Sequence, residues 1–298
     1  MASRTKRIKG AAGTAGFAVA ERTFRRMEPV RAEKAGARLG MTFYRLFKSR
    51  RKRMLSNLAL AMPELSAEDR LDISRRCAQH FGRVFADFLR TTPRTEKEVL
   101  DTCPIVDVRY FEEALAGGKG MILITGHFGN WERAAESIVA HGFKLTVVAR
   151  DANDGAINQA LLRIREAHGV EVLSRGNAAR GILRKLAQNE IVGILPDQNS
   201  GDMFVPFFGQ PCGTVTGPAS IHLKTGAPLV PFFCHWVSPN LYEGRAYPHL
   251  EAVPGYEPVE ALTRAINNAV EAAIREHPEQ WLWFHDRWKS ARKAGLVG

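Results

Sequence analysis

Between residues 66 and 89, apolar side chains recur at helical spacing: Leu71, Cys77, Phe81, Val84, Phe85 and Phe88 fall on one stripe. Ser66, followed three residues later by Asp69, has the form of a capping box, and Pro93 stops the pattern. From residue 105 the pattern changes. Short apolar runs at 105–108, 121–125, 145–149, 170–173, 191–195 and 229–234 predict strands. Helical patterns at 156–168, 177–188 and 217–225 lie between them. A last long helix at 257–276 carries Val259, Leu262, Ile266, Val270 and Ile274 on one face. Strands alternating with helices of this length predict an α/β fold with a single, mostly parallel central sheet flanked by helices. Ligands in such sheets bind beyond the carboxyl ends of the strands. His127, Arg150 and Asp197 each follow the end of a predicted strand, so one sheet edge is expected to collect all three.

Composition adds a division of the chain. Of 298 residues, 45% are hydrophobic and 24% charged, enough for one large domain with a sizeable core. The net charge is +11. Residues 1–60 hold 16 lysines and arginines against three acids, a balance of +13, which leaves residues 61–298 at about −2. The expected organisation is a basic, amphipathic, helical N-terminal region (1–60) and an α/β domain (61–298). Phe43, Leu46 and Phe47 share a helical face, with Arg50 to Arg53 just beyond. That pattern fits an interfacial helix on an anionic membrane surface, with a helix packed on the body and a solvated basic face as the competing account. No helix-turn-helix, zinc-finger or RNA-binding signature points to nucleic acid. No run reaches the roughly 18–20 apolar residues that cross a bilayer, and no secretory signal is expected. Four scattered cysteines without a CxxC pair suggest neither a disulfide framework nor a zinc site.

The most informative segment is 121–133, MILITGHFGNWER. An apolar strand runs into a turn held by Gly126 and Gly129, and Asn130 is placed to cap the following helix. The turn leaves His127 and Glu132 near the mouth of the sheet. Imidazole is the side chain best suited to move protons near neutral pH, and a nearby carboxylate can orient it. His127 and Glu132 are therefore a candidate base-and-orienter pair. The bland alternative is a strand-end histidine and an acid that favours the helix dipole. Neither HExxH, G-x-S-x-G, G-x-G-x-x-G nor a Walker loop is present. Those absences leave base-assisted transfer without a protein nucleophile, and no metal.

GHFGNWE resembles the H-x4-D/E motif of the glycerolipid-type acyltransferases, and more closely that of the bacterial lipid A biosynthesis (late) acyltransferases of lauroyl/myristoyl type. Further segments are similar in the same order along roughly residues 35–290: the Arg-rich stretch with Asn57 and Leu58, Met62-Pro63-Glu64-Leu65-Ser66, Leu195-Pro196-Asp197-Gln198, Val205-Pro206-Phe207-Phe208-Gly209, Thr214-Val215-Thr216-Gly217-Pro218, and Pro278-Glu279-Gln280-Trp281-Leu282-Trp283. The resemblance implies transfer of a fatty acyl chain from a thioester, on acyl carrier protein or coenzyme A, to a hydroxyl of a lipid A precursor or a similar glycolipid. Lysophospholipid and phosphatidylinositol mannoside are the alternative acceptors.

No acyl-enzyme and no cofactor are implied. His127 would be the base and Glu132 its orienter. Arg150, Gly129, Asn130, Asp197, Gln198 and Thr216 become candidates for the oxyanion or for substrate contacts, although ordinary pairing or capping explains several of them as well. Phe128, Val205, Phe207 and Phe208 become candidates for the acyl pocket, with core packing the competing account. After Arg150 the sequence departs from the family, with Asp151-Ala152-Asn153-Asp154 in place of an Asn-Asn-Pro-like continuation. The expected location is the cytoplasmic face of a bacterial inner membrane, peripheral or N-terminally anchored.

Overall fold

The computed structural model describes residues 15–90, 94–149, 155–174, 176 and 178–298. The chain begins with helix α1 (15–24), followed by α2 (Pro29–Leu46) and α3 (Lys48–Ala61), which meet at Phe47. Helix α4 (Ala67–Phe88) starts where the capping box predicts. Ser66 Oγ accepts from the Asp69 amide at 3.0 Å, and the Asp69 carboxylate accepts from the Ser66 amide at 3.3 Å. Helix α2 packs on α4 at backbone contact distance through Gly36, Gly40 and Gly82. A Cβ on Gly40 would lie 1.9 Å from the Ala78 carbonyl oxygen. Glu33 of α2 is buried and accepts hydrogen bonds from Trp236 Nε1, the Asn240 amide and the Tyr242 hydroxyl. These N-terminal helices therefore lie directly on the body.

The alternating region follows as α5 (Glu96–Thr102), β1 (Ile105–Val106), α6 (Arg109–Ala116), β2 (Met121–Ile124), α7 (Trp131–Ala140), β3 (Leu145–Ala149), α8 (Gly155–Ala167), β4 (Glu171–Ser174), α9 (Ala178–Ala187) and β5 (Ile191–Ile194). Then come the hairpin β6 (Met203–Phe207) and β7 (Gln210–Thr214), α10 (Gly217–Thr225), β8 (Leu229–Ser238), β9 (Leu241–Ala246), α11 (Pro258–Glu276), a 3-10 turn (Pro278–Gln280) and α12 (Lys289–Lys293). Seven strands form one sheet in the order β1-β9-β8-β2-β5-β3-β4. Every neighbouring pair is parallel except β8 with β9. The mostly parallel α/β sheet expected from the alternation is thus present. The β6–β7 hairpin and strand β9 escape the apolar pattern. Pro206 and Pro211 argue against strands at 203–214, but a two-stranded ribbon has only edges, where a missing N–H is tolerated.

The central strand β2 is buried at all four positions because helices cover both faces of the sheet. On one face Leu123, Leu145 and Phe232 pack with Ala134 and Ile138 of α7. On the other, Ile122, Ile124 and Val192 pack with Ile182 of α9 and Leu262 and Ile266 of α11. A third cluster, beyond the strand ends, joins the β6–β7 hairpin to the C-terminal segment through Phe207, Phe208, Trp281, Trp283 and Trp288. All three tryptophans are fully buried and belong to this core.

Candidate active site

Strands β2 and β5 are parallel neighbours in register Ile124↔Ile194. His127 and Asp197 each stand three residues beyond those paired positions, so the two loops leave the sheet side by side. The Asp197 carboxylate takes three hydrogen bonds. Oδ1 accepts from His127 Nδ1 at 2.8 Å, and Oδ2 accepts from the His127 amide at 2.7 Å and from Trp281 Nε1 at 2.9 Å. Asp197 is buried, which by itself disfavours the charged form. The His127 ring beside it and the hydrogen bonds from His127 and Trp281 outweigh that burial and hold the carboxyl at about 2.

An ionised carboxylate only accepts, so His127 Nδ1 carries the proton of the neutral ring and Nε2 is left with its lone pair. The side-chain amide of Gln198 lies 3.2 Å from that Nε2 and donates to it. Trp131 stands edge-on to the imidazole, with ring centroids 5.2 Å apart. A half-buried imidazole with one nitrogen oriented by a buried carboxylate and the other met by a side-chain amide at the edge of a cavity has the arrangement of a candidate general base.

The sequence profile of the family described as bacterial lipid A biosynthesis acyltransferase matches residues 16–290. The chain belongs to this family. It is similar to the phosphatidylinositol mannoside acyltransferase of Mycobacterium tuberculosis (strain CDC 1551 / Oshkosh), 28% identical over 80% of this chain and 77% of that one. It is similar also to the lipid A biosynthesis lauroyltransferase of Escherichia coli (strain K12), 24% identical over 86% of this chain and 84% of the other. The lipid A biosynthesis myristoyltransferase of the same strain is 24% identical over 97% of this chain and 88% of the other. The protein is an O-acyltransferase.

The acyltransferase departs from its sequence pattern in the identity of the orienting carboxylate. Glu132, expected to hold His127, instead forms a two-pronged pair with Arg165 of α8: Oε1 accepts from Nη2 at 2.6 Å and Oε2 from Nε at 3.1 Å. Its Oε1 also accepts from Trp131 Nε1 at 3.0 Å. The reason is local geometry. Asn130 caps α7, so Glu132 lies inside the first turn and projects toward α8, whereas the His127 ring turns toward the β5 loop. Gly126 permits that approach, since a Cβ there would lie 3.2 Å from Asp197 Oδ2. Arg165 is desolvated, which alone would weaken its proton, but the hydrogen bonds it donates to Glu132 and the charge of that carboxylate raise its pKa.

Other expected contacts are consumed by the fold. Gly129 has φ +54°, and a Cβ there would lie 1.6 Å from the Cys234 carbonyl oxygen, so glycine is required at this turn. Its amide donates to the Gln280 carbonyl at 2.8 Å and its carbonyl accepts from His80 Nε2 at 3.0 Å. Burial lowers the His80 pKa to about 4, so this ring is a neutral fastener. Asn130 is wholly buried: its amide donates to Cys234, Oδ1 caps the Arg133 amide, and Nδ2 donates to Asp87 at 3.0 Å. Gly129 and Asn130 therefore shape the turn and have no donor left for an oxyanion. Thr216 makes no capping hydrogen bond and does not line the cavity described below, though its neighbours Val215 and Gly217 do. Arg150 lies outside the described residues. Gln198 stays at the site, its backbone held by Arg287 Nη1, which donates to the Gln198 carbonyl at 3.2 Å.

A cavity of about 1130 Å³ opens at the strand ends, with His127, Trp131, Glu132, Arg165, Gln198 and Lys289 on its wall. One lobe runs beneath α7 along the sheet, between Ala134, Ala135 and Ile138 on one side and Leu123, Leu145 and Gly193 on the other. The four side chains expected to form an acyl pocket are elsewhere. Phe128, Val205, Phe207 and Phe208 are at most 5% exposed, and none touches this cavity. Phe207 packs on Trp281 and Trp288, Phe208 on Trp283, and Phe128 on Phe233. The aromatic cluster they complete is the core that seats the C-terminal segment against Asp197.

Proposed function

We propose that this acyltransferase moves a fatty acyl chain from a thioester donor to a hydroxyl of an anionic glycolipid, with His127 as general base and Asp197 as its positioning partner. The observation that carries this reading is the Asp197–His127 pair at the head of a cavity whose inner lobe is apolar. The acceptor hydroxyl replaces the Gln198 amide at His127 Nε2. As its oxygen attacks the thioester carbonyl, its proton passes to Nε2. The imidazolium is stabilised by the Asp197 carboxylate, and the released Gln198 amide donates toward the developing oxyanion. Collapse of the tetrahedral intermediate breaks the carbon–sulfur bond, and the leaving thiolate takes the proton back from Nε2. No side chain of the protein is acylated.

The lobe beneath α7 receives the donor's acyl chain, since Ala134, Ala135, Ile138, Leu123 and Leu145 give the cavity an apolar wall there. The donor is an acyl carrier protein thioester or acyl-coenzyme A, both anionic, and Arg50 and Lys289 stand on the cavity wall to meet either. No described helix is long and apolar enough to cross a membrane. Peripheral attachment at the cytoplasmic face of a bacterial inner membrane is supported instead by Leu46 and Phe47, 71% and 50% exposed beside the cations of α3.

The test is an acyl-transfer assay of purified protein with both donor types, reading product mass. The acceptors are a tetra-acylated lipid A precursor, a phosphatidylinositol mannoside and a lysophospholipid. Product from a glycolipid that disappears in His127→Ala is the expected result. Turnover of the lysophospholipid alone, or product formation unchanged in His127→Ala, overturns the reading.

A further inference from the structure

Helix α2 ends in a ridge of large apolar side chains that no described residue covers. Leu39 is 44% exposed, Phe43 40%, Leu46 71% and Phe47 50%. From this ridge an unbroken series of ring contacts leads to the base. Phe47 stacks on Phe43 with centroids 4.3 Å apart, and Phe43 meets Phe284 at 6.4 Å. Phe284 meets Phe81 edge-on at 5.3 Å, and Phe81 meets Trp131 at 6.1 Å. Trp131 in turn stands against His127. Such separations are those of rings in contact. Phe81, Trp131 and Phe284 are each half-buried, so the strip keeps an open face along its length. Rings present only to fill a core lose that open face, as Trp281, Trp283 and Trp288 do nearby.

The strip is separate from the lobe beneath α7, because Phe43, Phe81 and Phe284 do not line the cavity and only Trp131 belongs to both. It is also flanked by charge. The first turns of α3 carry Lys48, Arg50, Arg51 and Lys52, and Arg50 reaches the cavity wall.

We propose that this aromatic strip binds the apolar tail of the lipid acceptor, carrying it from the bilayer surface to His127 while the donor's chain occupies the lobe beneath α7. The inference rests on the acceptor being a lipid. One apolar surface per chain lets both substrates be present together, as transfer without an acyl-enzyme requires. The cations of α3 suit the acceptor's anionic headgroup, which stays at the rim while its tail lies on the rings. An exposed apolar ridge continuous with a reaction site is the arrangement that a substrate dissolved in a membrane needs.

Two measurements test this on the full chain. In the first, protein without donor is mixed with phosphatidylglycerol vesicles whose phospholipid tails are brominated, and tryptophan fluorescence is read. The strip holds Trp131; Trp281, Trp283 and Trp288 are sealed in the core; and the half-buried Trp236 is replaced by phenylalanine in both proteins compared, so adding Trp131→Phe should remove the quenching. Quenching that is absent, or that persists in Trp131→Phe, overturns the proposal. In the second, Phe284→Ser and Phe43→Ser are assayed with long-tailed phosphatidylinositol mannoside and lipid A precursor, and with dihexanoyl analogues of each. KM for the long-tailed acceptor should rise about tenfold, the equivalent of about two methylenes returned to water, with kcat kept and the dihexanoyl substrates unaffected. Phe43→Ser changes an exposed position and keeps the fold. An unchanged KM in that variant, or a change in oligomeric state in its place, refutes the strip. If no glycolipid is turned over by the unmodified protein, the acyl-transfer reading falls, and the quenching measurement still decides the strip.

Discussion

Replacing Asp197 by asparagine tests the identity of the orienting carboxylate with almost no change of shape. Two N–H groups, from the His127 backbone and from Trp281, converge on Asp197 Oδ2. Asparagine must therefore keep its oxygen at that position and place its NH2 where Oδ1 stood, facing His127 Nδ1. A donor facing Nδ1 requires the ring proton to move to Nε2. The nitrogen that should accept the hydroxyl's proton is then already protonated. General-base assistance is worth about 10²–10⁴ in rate, or roughly 3–5 kcal/mol at about 1.4 kcal/mol per decade. Asp197→Asn should lower kcat by that factor in the product-mass assay while the protein stays folded by circular dichroism. Glu132→Gln is the matched control. It weakens the pair with Arg165 but leaves the His127 tautomer alone, so its kcat should fall by less than about tenfold. A folded Asp197→Asn enzyme at near-normal rate, with Glu132→Gln severely impaired, would refute the assignment and return the role to Glu132.

Three further outcomes follow from the same geometry. Gly129→Ala places a Cβ against the Cys234 carbonyl oxygen at a positive φ, so it should destabilise by at least about 3 kcal/mol, seen as a drop of at least about 5 °C in thermal midpoint; an unchanged midpoint would mean that the turn is not held as described. Gly193→Val adds two methyl groups beyond a Cβ that already lies 3.3 Å from Val147 Cγ1, so in competition assays preference should move toward shorter acyl donors. An unaltered chain-length profile would exclude the lobe beneath α7 as the acyl site. The carboxyl of Asp197 is depressed in the folded state from 3.8 to about 2, so its stabilisation is complete above about pH 4 and is lost as pH falls toward about 2. Urea unfolding should show the stability advantage of wild type over Asp197→Asn shrinking by on the order of 2 kcal/mol across that window, and a constant difference would contradict it.

Much of the architecture is written locally. The capping box at Ser66, the stripe along α4 and the alternation of short apolar runs with helical patterns are consequences of neighbouring residues, and the corresponding elements lie within one to four residues of where those patterns place them. The G-H-F-G-N-W segment likewise reads as strand, glycine turn and capped helix, because a positive φ at Gly129 and a cap at Asn130 are short-range requirements. The hairpins were less legible, since two prolines in β6–β7 mask strands that need no interior partner. What the chain's order does not contain is which carboxylate meets the imidazole. Glu132 is five residues from His127 and Asp197 is 70 residues away. The parallel pairing of β2 with β5 makes the distant one the partner, and Arg165 of α8 draws the near one aside.

The same holds for the apolar surfaces. Phe207 and Phe208 look like pocket residues in sequence and become core because three tryptophans from the C-terminal segment close over them. The lobe beneath α7 is walled by Ala134, Ala135 and Gly193 together with Leu123, Ile138 and Leu145, residues whose spacing along the chain marks helix and strand and not a pocket. By itself the sequence determined the sheet class, the site turn and the histidine that stands in it, since each depends on residues within one or two elements. Only the tertiary structure decided which carboxylate meets that histidine and which side chains wall the cavity, because strand pairing and helix packing bring together side chains whose separation along the chain carries no trace of their contact.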